Sequence, residues 1–65
     1  MQQPKFIRVL DTNKATGVEQ VKYINVQNIQ TVYQQNDDII IEMSDYTQLR
    51  ILNQNIDIFL DRLIL

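Results

Sequence analysis

Neither cysteine nor histidine occurs in this chain of 65 residues, and that pair of absences limits how so small a fold can be held together. At this length folding buries only about 60% of the surface that the unfolded chain exposes, so a lone domain is marginally stable. Small domains make up the deficit with disulfides, a structural metal or association. Disulfides need cysteine, and structural zinc needs thiolate or imidazole ligands, so both devices are lost together. Self-association remains, and a homo-oligomer is the expectation. The lack of cysteine also fits a reducing compartment.

Eight acidic residues against six basic ones leave a net charge of −2. That balance provides no field to gather nucleic acid or anionic lipid. A membrane-spanning helix needs a run of roughly 18 or more apolar residues, and the sequence contains none. The opening residues, from Met1 to Phe6, lack the apolar segment of a secretory signal. A cytoplasmic location is expected.

Nine Gln and six Asn stand against one Gly and one Pro. Most of the amides alternate with Val, Ile and Tyr, and none forms a run longer than three, so they read as the uncharged polar face of strands. A sheet rimmed with amides has little electrostatic protection against edge pairing.

One domain covers residues 1–65, beginning with an extended arm over 1–4 that Pro4 enforces. Alternation and β-branched content predict strands over about 5–11, 19–26, 29–35, 39–44 and 47–52. Gly17, the sole glycine, is the candidate for a positive φ in the first loop. The segment from Val26 to Ile29 breaks the alternation and predicts a tight corner or bulge. Asn36, Asp37 and Asp38 supply residues that tolerate left-handed turns.

Register follows from the requirement that apolar side chains share one face. Pairing Gln34 with Ile39 places Val32 opposite Ile41 and Gln30 opposite Met43. The next hairpin must then set Ile41 opposite Leu49 and Ile39 opposite Ile51. A loop of two residues fails, because a one-residue slip sends every side chain to the wrong face. A three-residue loop at Ser44, Asp45 and Tyr46 succeeds, with Asp45 the candidate for positive φ.

A helix is predicted over about 56–64. Asn55 is a suitable N-cap, Asp57 complements the dipole in the first turn, and Arg62 falls in the last turn. Ile56, Phe59, Leu60 and Leu63 form a single apolar stripe. The fold class is therefore α+β, mainly β: a five-stranded antiparallel meander with one C-terminal helix, and with curling toward a small barrel as an open alternative.

One helix covers one face of a sheet. The reverse face, by this register, presents Ile29, Thr31, Tyr33, Ile40, Glu42, Gln48 and Arg50. Tyr33 and Ile40 there, with Ile58 and Leu65 on the far side of the helix, are the candidate interface residues. The first strand is also apolar on both sides.

No glycine-rich phosphate loop exists, and Ser44 has no histidine to activate it. Asp37 with Asp38 reads as a turn pair, and Asp57 with Asp61 as neighbours on a helix surface. No catalytic residue, cofactor or metal is expected, and the chain is read as a non-enzyme. A stacking platform for nucleic acid from Tyr23, Tyr33, Lys22 and Arg50 is the alternative; the scattered cations weigh against it.

The stretch from Tyr23 to Leu63 runs Tyr-Ile-Asn-Val-Gln-Asn-Ile, then Asp-Ile-Ile-Ile-Glu-Met-Ser-Asp, then Leu-Arg-Ile-Leu-Asn-Gln-Asn-Ile-Asp-Ile-Phe-Leu-Asp-Arg-Leu. It resembles the small bacterial FlbD-type flagellar proteins, in which a strand, an Asn-x-x-x-Ile corner, a hairpin and a capped helix follow one another. It is also similar to the β core of LytTR-type DNA-binding domains. The FlbD-type hairpin carries Asn-Gly where this chain has Ser44, Asp45 and Tyr46. The basic loop residues of LytTR-type domains have no equivalents here. The resemblance implies the fold and transfers no functional residue. The expected function is a small protein-interaction module that self-associates through apolar patches on sheet and helix.

Overall fold

A computed structural model describes residues 3–64. Five antiparallel strands and one short helix follow in order: β1 Phe6–Thr12, β2 Glu19–Asn25, β3 Ile29–Gln35, β4 Asp38–Met43, β5 Gln48–Ile51 and α1 Ile56–Asp61. The strands form two sheets, β1-β2 and β3-β4-β5. One continuous meander was expected between β2 and β3. The break comes from a 3-10 turn at Val26–Asn28, where Asn25 accepts the Gln27 N–H and redirects the chain. The corner foreseen from broken alternation is this turn.

The sheets meet where β1 lies alongside β5, but no backbone ladder joins them. A side chain does. The Asp11 Oδ1 accepts the Arg50 N–H at 3.0 Å, and its Oδ2 pairs with the Lys22 Nζ at 2.7 Å. Further along β1, the Arg62 guanidinium donates to the Arg8 carbonyl, and the Lys5 Nζ donates to the Arg62 carbonyl at 2.6 Å. Thus the edges of β1 and β5 are tied by side chains, and the barrel is not closed.

Register within the three-stranded sheet is as the apolar pattern requires at Gln34↔Ile39, Val32↔Ile41, Ile41↔Leu49 and Ile39↔Ile51. It departs at one point. A shift between Ile29 and Thr31 makes Gln30 an extra residue, so Ile29, and not Gln30, faces Met43. A bulge of this kind reverses the facing of what precedes it. Ile29 therefore packs on the core, not on the reverse face.

The core gathers Ile7, Val9, Ile24, Ile39, Ile41, Met43, Leu49, Ile51 and Phe59, with Ile56 and Leu63 against it. Phe59, fully buried, is the helix's main anchor. Asn55 caps α1 by accepting the N–H groups of Asp57 and Ile58. The helix ends at Asp61, three residues early, because i→i+3 bonds from Arg62 to Phe59 and Leu63 to Leu60 tighten its last turn. Arg62 is accordingly the C-cap.

Candidate functional site

Strand alternation leaves the β1-β2 hairpin with an oily exterior. Ile7, Val9 and Ile24 point into the core, so Phe6, Leu10, Val21 and Tyr23 point out. Phe6 is 56% exposed and Tyr23 68%, with Arg8 directly opposite Tyr23. The molecule measures 40 × 22 × 18 Å, an elongated shape that offers more exterior than a sphere of the same volume. At one end of this patch a cleft of about 350 Å³ opens toward the β4-β5 hairpin, and Phe6, Tyr23, Met43 and Leu49 are among the residues that line it. The doubly apolar first strand was the sequence signal for this surface, but the residues themselves were not foreseen.

The hairpin tip beside the cleft is strained. Tyr46, not Asp45, has the positive φ, at 70°, and it is 92% exposed. Closure of the loop by Met43 and Thr47 leaves three residues between them, and the third of three is the position that turns left-handed. Asp45 instead accepts the Thr47 N–H at 2.9 Å. Hydrogen bonds from the Thr47 side chain, and then its backbone, hold the Asp45 carboxyl below its ordinary value of 3.8.

The candidate interface residues fall in different places. Tyr33 lies on the reverse face at 37% exposure, and Ile58 stands out from α1 at 70%. Leu65 lies outside the described residues. Ile40, expected on an exposed patch, is only 1% exposed. Tyr33 and Arg50 flank it on the neighbouring strands, and the guanidinium spans the reverse face to Asp38 at 2.8 Å and the Gln35 Oε1 at 2.7 Å. Arg50 thus packs its stem where solvent was expected, a frequent role for long cationic side chains.

The residues of the suggested stacking platform do not converge. Lys22 and Tyr23 are successive strand residues and point to opposite faces, while Tyr33 belongs to the other sheet. Lys22 is paired with Asp11 and Arg50 with Asp38, so neither cation is free. The buried Asp38 also accepts the Asn53 N–H and faces the Lys14 ammonium. Among the described residues, no three acidic side chains cluster, and every buried side-chain polar atom has a partner.

A second hollow, about 520 Å³ and open to solvent, is walled by amides at Gln34, Asn36, Asn53 and Asn55. Gln34 is fully committed there: its Nε2 donates to the carbonyls of Asn36, Asp38 and Gln54, and its Oε1 accepts the Ile56 N–H. This amide ties the β3-β4 turn to the start of α1. No protein-family model, curated protein or solved structure matches this chain.

Proposed function

We propose that the chain is a non-enzymatic interaction module that self-associates through the apolar surface its own fold leaves exposed. The observation that carries this reading is the outer face of the β1-β2 hairpin, where Phe6, Leu10, Val21 and Tyr23 stand together in solvent. Single exposed apolar residues are ordinary, but contiguous ones mark contact surfaces. Ile58 on the helix and Tyr33 on the reverse face add two further apolar points. Tyr46 supports the reading from another direction, because a large aromatic side chain held out in a left-handed turn contributes nothing to the core. Aromatic side chains of this kind are the usual anchors of protein interfaces.

The polar groups support the same reading. Asp11, Asp38, Lys22 and Arg50 are spent on joining strands. Multi-angle light scattering on the full chain, from micromolar to millimolar concentration, is the test. A mass that climbs with concentration is expected; a constant monomer mass removes the proposal. A salt-dependent gel shift with DNA or RNA would favour the nucleic-acid reading instead.

A further inference from the structure

Among the described residues, each sheet has one edge that nothing pairs. The edges of β1 and β5 are tied to each other and to the helix end, which leaves β2 and β3 free. Charge separates these two. β2 carries Glu19 and Lys22, the devices by which edge strands ordinarily resist pairing, whereas β3 reads Ile29-Gln-Thr-Val-Tyr-Gln-Gln35, with no charge, Pro or Gly.

Hydrogen-bond parity fixes which groups of β3 are free. The Met43 N–H donates to the Thr47 carbonyl, so odd-numbered residues of β4 bond β5 and even-numbered ones bond β3. Their partners on β3 are Thr31, Tyr33 and Gln35. The N–H and C=O groups of Val32 and Gln34 therefore point away from the sheet, and no bond to them occurs among the described residues. Gln30 is the bulged residue, and bulges twist an edge away from further pairing. The straight, usable edge runs from Thr31 to Gln35, with Tyr33 at its centre.

We propose that a second copy of this chain pairs antiparallel with this edge, about a two-fold axis through Tyr33. The seam is self-complementary. Val32 of each copy faces Gln34 of the other in a hydrogen-bonded pair, and each such pair exchanges two bonds. Tyr33 faces its own counterpart in the closer, non-hydrogen-bonded geometry, the favoured setting for aromatic cross-strand pairs. The two three-stranded sheets become one of six strands with closed two-fold symmetry. Such a seam covers far less than the roughly 1,600 Å² of a standard interface, so the dimer is weak and concentration-dependent. This inference rests on the self-association reading and adds to the apolar hairpin face a second contact, the backbone edge of β3.

Backbone amide exchange of the full chain, followed residue by residue at tens of micromolar and again at millimolar concentration, is the test. The Val32 and Gln34 amides are expected to slow about tenfold or more at the higher concentration, while that of Gln30, at the bulge, does not change. Tyr33→Lys sets like charges directly opposite each other and is expected to abolish the change with its circular dichroism intact; Glu19→Lys, on the other free edge and outside the apolar hairpin face, is expected to leave it. If the protein associates while Val32 and Gln34 exchange at an unchanged rate, or if folded Tyr33→Lys associates as the wild type does, this seam is overturned and the self-association reading stands. If the wild type is monomeric at millimolar concentration, both fall.

Discussion

Removing the Asp11 carboxylate tests how the two sheets are joined. Its Oδ1 is the acceptor for the Arg50 N–H, which points away from β4 and has no ladder partner. A hydrogen bond to a charged acceptor is worth about 1.5–3 kcal/mol. Its Oδ2 holds Lys22 at 2.7 Å in a half-buried pair, and partly exposed pairs contribute about 0–1 kcal/mol. Asp11→Ala is therefore expected to cost about 2–3 kcal/mol. Against a total of about 3–10 kcal/mol for a domain of this length, that is a large fraction. Asp11→Asn keeps an acceptor for Arg50 and gives up only the charge, so its cost is about 0.5–1 kcal/mol. Urea unfolding followed by far-ultraviolet circular dichroism measures both, and the Arg50 amide exchange rate reports the bond itself. At this size about 1 kcal/mol corresponds to roughly 4–8 °C in Tm, so the variants separate thermally as well. If Asp11→Ala and Asp11→Asn lose the same amount, or if the Ala variant loses less than about 0.5 kcal/mol, the carboxylate does not join the sheets.

Three further outcomes are expected. Tyr46→Gly relieves a left-handed residue costing about 1–2 kcal/mol, offset by about 0.5–1 kcal/mol of glycine chain entropy, so a small gain in the urea midpoint is expected. Phe59→Ala should remove about 3–5 kcal/mol, enough to leave the chain largely unfolded by circular dichroism. The lowered Asp45 pKa means that its carboxylate is better held folded than unfolded; that contribution is complete above 3.8 and fades as pH falls through the lower folded value. Asp45→Asn should therefore flatten the acid side of a stability–pH profile, though weakly, since the group is fully exposed.

Local chemistry was legible wherever it had one solution. Ile39, Ile41, Leu49 and Ile51 share a face only if the β4-β5 loop has odd length, and it has. Asn55 announced the helix start, and Gly17 took φ 75°. What escaped was decided by contacts distant in sequence. The Gln30 bulge turns Ile29 inward, which no alternation rule signals. Ile40 is buried because Arg50 folds across the reverse face to Asp38 and Gln35. The barrel stays open because Asp11 joins β1 to β5 across 39 positions of sequence by a side chain and not a ladder. Of the interface residues, Tyr33 and Ile58 were readable as outward-facing from periodicity. The Phe6 and Tyr23 surface was not, because a strand apolar on both sides fits a barrel wall equally well.

Sedimentation equilibrium of the intact chain, carried from micromolar to millimolar protein, measures directly whether the oil left on the surface finds a partner copy. The average mass should rise smoothly from monomer toward dimer. A monomer mass that holds to the highest concentration would contradict it.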